Sequence, residues 1–181
     1  MSSVREKQTK LHSTLIEPRT VRLERLLPGP VERIWAYLTE SEKRAKWLAG
    51  GEFDLRVGGK VRLAFDNCSL PNDADSLQKY KGRGKGQFEG VITRLEPLRL
   101  LAYTWKWDSG DSEVSYELTP RGKDVLLVIV HRNLSEQIVR GIMGGWDVHS
   151  GILADILNGA EPRPFWSTHD RLEKEYAGAK A

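Results

Sequence analysis

The stretch from residue 135 to residue 158 constrains the fold more than any other part of this sequence. At the helical repeat of about 100° per residue, its apolar side chains fall on one broad side. That side carries Val139, Ile142, Met143, Trp146, Leu153, Ile156 and Leu157, and His149 and Ile152 extend it. Arg140, Asp147, Asp155 and Asn158 fall on the opposite side. The pattern predicts a long amphipathic helix whose apolar face is wider than one packed neighbour needs.

Four glycines interrupt this helical pattern: Gly141, Gly144, Gly145 and Gly151. Each glycine inside a helix costs roughly 0.8–1 kcal/mol relative to alanine. Four of them therefore indicate either close approach of another group or space for a ligand. Ser135 is the expected N-cap of the helix, and Asn158 with Gly159 is expected to end it.

Most of the chain before this helix reads as strands separated by turn residues. Side chains alternate over residues 19–27, which predicts a strand. A helical period begins at Val31, and a second short helix is expected over 42–47. Two short alternating runs, 52–57 and 60–66, flank a Gly-Gly pair that is typical of a hairpin. Further strands are expected at 86–95, 100–108, 113–119 and 124–132. Their short connections can join only antiparallel neighbours, which predicts a meander.

This order of elements predicts an α+β domain with a single sheet. One strand, two helices, six antiparallel strands and a long C-terminal helix give the order β-α-α-β6-α. The seven strands would form one curved antiparallel sheet that wraps around the helix and leaves a cavity beside it. We expect this domain to occupy residues 19–158.

Three segments lie outside this pattern. Residues 1–18 are polar and are expected to form a loose N-terminal extension. Residues 67–84 are rich in Asn, Asp, Gly, Ser and Lys and predict a mobile loop, either a lid over a functional opening or a simple insertion. Residues 159–181 are a C-terminal extension in which Ser167 would cap a short helix over 168–176.

Composition and charge narrow the class of protein and of partner. The 181 residues are 39% hydrophobic and 29% charged, which is ordinary for a globular domain. The N-terminal residues lack the apolar core of a signal peptide, and the longest aliphatic run, 125–130, is too short to span a bilayer. With a single cysteine, Cys68, we expect no disulfide and a cytoplasmic protein. The net charge of +3 includes basic residues at 79–85, which indicate a solvated loop rather than a nucleic-acid-binding surface.

Alternation along three strands places aromatic residues on the face toward the helix. One strand presents Leu101, Tyr103, Trp105 and Trp107, the next Val114, Tyr116 and Leu118, and the third Leu127, Ile129 and His131. Such a face serves either as core packing or as the wall of a ligand cavity. The candidate cavity residues are Tyr103, Trp105, Trp107, Tyr116, His131, Ile142, Met143, Trp146, His149 and Ile152.

The polar residues of this interior each have two interpretations. His131 points to the same interior as Trp105 and is either hydrogen-bonded within the core or catalytic, and its apolar surroundings favour the structural role. His149 lies near the edge of the helix's apolar face and is expected at the rim of the cavity. Gln87 and Glu89 share one strand face, and the alternation there leaves open whether that face points inward.

No pattern for a catalytic centre stands out. No serine occupies a nucleophile elbow, and Cys68 has no assigned base. The four histidines lack the spacing of a metal site, and no phosphate-binding or dinucleotide-binding glycine motif follows a strand. We therefore expect neither a metal nor a cofactor. The one enzymatic role left open is general acid/base catalysis by His131 or Glu89.

Five motifs in a fixed order resemble one family of bacterial proteins. They are VRLERLLPGPVERIWAYLTESEKRAKW at 21–47, GGK at 58–60, GVITRLEPLRLLAYTW at 90–105, VLLVIVH at 125–131 and GGW at 144–146. Together they resemble bacterial homologues of the C-terminal domain of the activator of Hsp90 ATPase. That family belongs to the helix-grip (SRPBCC) superfamily of START lipid-binding domains, Bet v 1 allergens and polyketide cyclases. The resemblance implies a hydrophobic pocket between the sheet and the last helix, and it does not extend to 67–84 or 159–181.

The resemblance leaves three functions open, because the superfamily includes carriers, co-chaperone domains and enzymes. The first is binding of a small hydrophobic or aromatic molecule in the cavity. The second is interaction with a protein partner, as an Hsp90-type co-chaperone or a stress-related domain. The third is a cyclase- or hydrolase-like reaction in the same cavity. We favour ligand binding over catalysis and expect a monomer or a homodimer.

Overall fold

A single sheet and five helices make up the described part of the chain. The computed structural model describes residues 12–107 and 110–178. The strands are β1 (Ser13–Glu17), β2 (Thr20–Pro28), β3 (Lys60–Asp66), β4 (Lys85–Glu96), β5 (Leu100–Trp107), β6 (Gly110–Arg121) and β7 (Asp124–Arg132). The helices are α1 (Val31–Thr39), α2 (Ser41–Arg44), α3 (Ala74–Lys79), α4 (Val139–Leu157) and α5 (Phe165–Gly178).

The strands form one antiparallel sheet in the order β1-β2-β7-β6-β5-β4-β3. Strands β4 to β7 pair with their neighbours in sequence, as their short connections predict. β2 pairs with β7, so that Val21 lies opposite His131. The inward face of the sheet and the buried face of α4 share one hydrophobic core, to which Leu101, Leu127 and Leu153 belong. The predicted α+β fold, a seven-stranded antiparallel sheet with a long C-terminal helix, is confirmed.

The number of strands agrees with the prediction, but one strand lies in a different segment of the sequence. β1 lies in the segment predicted to be a loose extension, and it pairs with β2. Residues 52–57, predicted to be a strand, make a single isolated bridge, between Phe53 and Val61. The backbone turns there instead of extending, because the Arg56 N–H donates a hydrogen bond to the Asp54 carbonyl at 2.7 Å.

The segment 67–84 contains α3 and packs against α5, which differs from the structureless loop that its composition predicts. The ring of Tyr80 stacks on Trp166 of α5, with the ring centroids 4.2 Å apart. The side chain of Asn72 accepts a hydrogen bond from the Trp166 N–H at 3.0 Å. Because Asn72 satisfies this first-turn donor, α5 begins at Phe165 and not at the predicted Ser167 cap.

Helix α4 ends where the sequence predicts, but it begins at a later residue than predicted. The helix begins at Val139, after Ile138, and the Ser135 hydroxyl makes no hydrogen bond among the described residues, so Ser135 does not cap it. The helix ends at Leu157, next to the predicted Asn-Gly stop. Close packing explains one of its glycines. A Cβ at Gly151 would lie 2.6 Å from a guanidinium nitrogen of Arg163, so a larger residue would require that side chain to move.

The polar face of α4, opposite its apolar side, is covered by β1 and α5. Asp147 on this face is only 2% exposed. Its carboxylate accepts hydrogen bonds from the Ser13 N–H and from the Tyr176 hydroxyl, and it pairs with Arg25 at 3.2 Å. Residues from both ends of the described chain are thus part of one folded unit with the sheet and α4.

Candidate functional site

A cavity of about 240 Å³ lies between α4 and the inward face of the sheet. Its wall is formed by Leu48, Phe65, Asn67, Gly84, Lys85, Gly86, Phe88, Trp105, His131, Ile142, Gly145, Trp146 and His149. Phe65, Phe88 and Trp105 come from strands, where alternate residues face the helix, and Trp146 comes from α4. Lys85 is exposed and marks the opening toward solvent. The cavity is therefore bounded by the sheet, by α4 and by both ends of the segment 67–84.

Aromatic rings packed around Trp105 make up most of this wall. The ring of Phe65 stacks on Trp105 with centroids 5.4 Å apart and planes inclined by 30°. Phe88 lies 5.6 Å and Trp146 6.1 Å from Trp105 in edge-on arrangements. Offset and edge-to-face pairs of this kind are the favoured arrangements of aromatic rings. The rings hold one another in place and present an ordered apolar surface to the cavity.

His131 has both ring nitrogens engaged. The Trp146 indole N–H donates to Nδ1 at 3.1 Å, so Nδ1 carries a lone pair. The proton of the neutral ring is then on Nε2, which lies 2.8 Å from the Ser112 hydroxyl and donates to it. Burial lowers the pKa of His131 to about 3. His131 is therefore neutral near pH 7 and fixes the orientation of Trp146.

His149 is buried beside the cavity and does not lie at the rim as predicted. The ring is 6% exposed because Phe165 of α5 covers it, with the ring centroids 4.8 Å apart. Nδ1 lies 2.7 Å from the carbonyl oxygen of Trp47. A carbonyl only accepts, so the Nδ1 position carries the proton. Burial lowers the pKa of His149 to about 4, which keeps the ring neutral near pH 7.

Comparison with known proteins identifies the family of the chain. The family model described as Activator of Hsp90 ATPase homolog 1-like protein matches residues 28–158. The chain belongs to this family. The match covers most of the range over which the sequence motifs indicate the resemblance, and it confirms that resemblance.

Solved structures with the same fold come from several bacteria. This family member is 35% identical to the protein encoded by gene BPP1335 of Bordetella parapertussis, with a TM-score of 0.76 and coverage of 94% of this chain and 91% of that one. It is 26% identical to CV1439 of Chromobacterium violaceum, with a TM-score of 0.64 and coverage of 77% and 98%. CalU16 of Micromonospora echinospora shares the fold, at 23% identity, a TM-score of 0.65 and coverage of 87% and 86%. Comparison with curated proteins gives no match.

The structure separates the predicted site residues into two groups. Those at the cavity wall are Trp105, His131, Ile142, Trp146 and His149. Those in the core, away from the wall, are Tyr103, Tyr116, Met143 and Ile152. The side chain of Trp107 lies outside the described part of the structure. In the core, the hydroxyls of Tyr103 and Tyr116 are 2.8 Å apart, and burial raises the pKa of both, that of Tyr103 to about 12.

The orientation of β4, which the sequence leaves open, is settled by its pairing. Gln87 and Glu89 are exposed, and Gly86 and Phe88 line the cavity. Glu89 therefore cannot act as an acid or base in the cavity. The alternation of Phe88 with polar neighbours was a usable signal, but a register shift after Ile92 interrupts the period and hides it.

Other wall residues were missed because they come from irregular segments or from short strands. Phe65 had a signal, since it follows Val61 and Leu63 at alternate positions of β3. Asn67 and Gly84 meet because the Asn67 N–H donates to the Gly84 carbonyl at 2.9 Å and closes the base of the segment 67–84. No local sequence pattern predicts that contact, because it joins two loop positions that are far apart in sequence.

A group of possible metal ligands lies on α5, away from the cavity. Ligand atoms of His169, Asp170 and Glu173 are within 4.8 Å of one another. Asp170 also accepts a hydrogen bond from the Tyr80 hydroxyl and pairs with Lys79 at 2.9 Å. These contacts explain the position of the carboxylate without an ion. None of the helices in the described ranges, 12–107 and 110–178, combines the length and the hydropathy that a membrane span requires.

Proposed function

We propose that this protein binds a small aromatic molecule in the cavity beside α4. The observation that carries the proposal is an apolar space of about 240 Å³ bounded by the rings of Phe65, Phe88, Trp105 and Trp146. An engineered apolar cavity of about 150 Å³ binds benzene. A space of this size can therefore accommodate one or two fused rings.

A glycine of α4 supports this use of the space. Gly145 lines the cavity, and a Cβ built at this position has no heavy atom within 4 Å. Protein interiors are otherwise packed as densely as organic crystals. Because Gly145 has no side chain, this part of the cavity wall is left open to a ligand.

The polar groups of the wall favour binding over catalysis. A general base needs an available atom within reach of the substrate and a pKa near the operating pH. His131 uses both nitrogens in hydrogen bonds within the protein. The pKa of His149, about 4, makes it a weak base near pH 7. His149 is therefore suited to holding a ligand, and His131 to fixing the position of Trp146 in the wall.

The proposal is tested by thermal unfolding with one- and two-ring aromatic compounds. A ligand that binds the folded state raises its stability in proportion to the logarithm of ligand concentration. Trp105→Leu should abolish this gain, because it removes the ring around which the wall is packed. Trp35→Leu on α1 is the matched control and should retain the gain, since Trp35 does not line the cavity. Absence of any shift in the wild-type protein would contradict the proposal.

A further inference from the structure

One nitrogen at the cavity wall has no partner in the described part of the protein. His149 Nδ1 is held by the Trp47 carbonyl at 2.7 Å, which leaves Nε2 as the lone-pair nitrogen of a neutral ring. Within residues 12–107 and 110–178, Nε2 makes no hydrogen bond. His131, at the same wall, differs because both of its nitrogens have protein partners. His149 Nε2 is therefore a hydrogen-bond acceptor available to a ligand.

The His149 ring is fixed in place, so its acceptor has a defined direction. The ring belongs to α4 and is 6% exposed. Phe165 lies 4.8 Å and Phe65 6.1 Å from it, centroid to centroid. An acceptor held in this way needs no reorganisation when a donor arrives, which lowers the free-energy cost of binding.

Asn67 also lines the cavity. The side-chain oxygen Oδ1 of Asn67 is buried and has no hydrogen-bond partner among the described residues. The nearby cation gives no reason to expect an acidic ligand, because Lys85 pairs with Asp66 at 3.3 Å. The unpartnered nitrogen of His149 thus calls for a donor on the ligand.

We infer that the ligand of this cavity is a small aromatic molecule that carries a hydroxyl or N–H group, as a phenol does, and that this group donates to His149 Nε2. The inference rests on the proposed function. A purely apolar ligand would bury Nε2 without a partner, and the lost hydration of that acceptor would weaken binding. A hydroxyl is about the size of a methyl group, and on the ligand it donates to Nε2 and so replaces the hydration that this acceptor loses.

The experiment compares 1-naphthol with 1-methylnaphthalene, which have the same rings and differ in the donor. Dissociation constants measured by titration should be at least about tenfold lower for 1-naphthol, which corresponds to about 1.4 kcal/mol. The nitrogen resonance of His149 Nε2 in ¹⁵N-histidine-labelled protein should move on addition of 1-naphthol and stay in place with 1-methylnaphthalene. This readout uses the wild-type chain, so it does not depend on a variant that folds.

Variants separate the acceptor from general packing. His149→Phe keeps an aromatic ring and removes Nε2, and it should reduce the preference for 1-naphthol to about twofold or less. His169→Phe on α5 is the matched control, because its ring lies outside the cavity wall and the preference should remain.

The outcomes distinguish this inference from the proposed function. If neither compound binds, the proposed function fails. If both bind equally, or if 1-naphthol binds without moving the Nε2 resonance, the cavity still binds aromatic molecules and the donor assignment is wrong. Preference for 1-naphthol together with a moved Nε2 resonance supports both.

Discussion

Replacing Gly145 tests whether the space beside α4 is a binding cavity. In a helix interior, alanine is favoured over glycine by about 0.8–1 kcal/mol. A Cβ at this position meets no heavy atom within 4 Å, so no steric cost offsets that gain. Gly145→Ala should therefore raise the free energy of unfolding by nearly the full amount, or the melting temperature by about 2–4 °C for a chain of this size.

A larger side chain at the same position should separate binding from stability. Leucine has a helix propensity close to that of alanine. In Gly145→Leu, however, the leucine side chain fills part of the 240 Å³ cavity. At a ligand concentration of 100 Kd, the wild-type protein should gain about 2.7 kcal/mol, or ~5–10 °C. Gly145→Leu should lose this gain and keep its fold.

The measurement is thermal unfolding with and without 1-naphthol, followed by circular dichroism. Gly144→Ala is the matched control, because its Cβ also meets nothing within 4 Å and Gly144 does not line the cavity. That variant should gain stability and retain the ligand response. The reasoning is refuted if Gly145→Leu unfolds while Gly144→Ala does not, which would assign Gly145 to packing. An unchanged ligand response in Gly145→Leu would place the ligand elsewhere.

Three further predictions concern the rest of the fold. Asp147→Ala should lower the free energy of unfolding in urea by about 3–5 kcal/mol, because it leaves Arg25 buried without its partner, and a loss under about 1 kcal/mol would contradict this. The folded-state pKa values of about 3 for His131 and about 4 for His149 lie below about 6.5, the value in unfolded chains, so the unfolded state binds more protons below that pH. Stability in urea should thus be complete above about pH 6.5 and fall toward pH 5 by up to about 1.4 kcal/mol per pH unit for each histidine, and a flat profile would refute their neutrality. Tyr80→Ala should speed proteolysis within 67–84 with little effect on the melting temperature, since it removes the stack on α5, whereas Lys81→Ala should not.

The central part of the fold could be predicted because its signals are local. The alternation in the strands from 86 to 132 and the helical period of α4 are each set by neighbours a few residues away. The aromatic face of β5 followed directly from that alternation. It brought Trp105 and His131 to one interior, where their rings are 5.4 Å apart.

The parts that were missed depend on contacts between distant residues. β1 has only five residues, and its first residue is held by Asp147 of α4. The start of α5 depends on Asn72, which is 94 residues away in sequence. Neither contact has a local period, so the sequence indicated a loose N-terminal extension and a later start of the last helix.

The candidate site was predicted in part for the same reason. Residues on α4 and β5 that share a period with their neighbours were placed at the wall, as Trp105 and Trp146 show. Tyr103 has the same inward orientation as Trp105, but it lies deeper in the core. Periodicity indicates which face a side chain is on and not how far along that face a cavity extends.

The contacts of the Asp147 carboxylate also determine when parts of the fold can be completed during synthesis. β1 emerges well before α4, and α5 emerges after it, yet Ser13 of β1 and Tyr176 of α5 both bind this one side chain. β2 must likewise wait for β7 before its second edge is paired. The nascent chain therefore holds an open sheet edge until β7 has been made and an uncovered helix face until its C-terminal helix has been made. Such long-range closure slows folding and lengthens the interval in which apolar surface is open to chaperones.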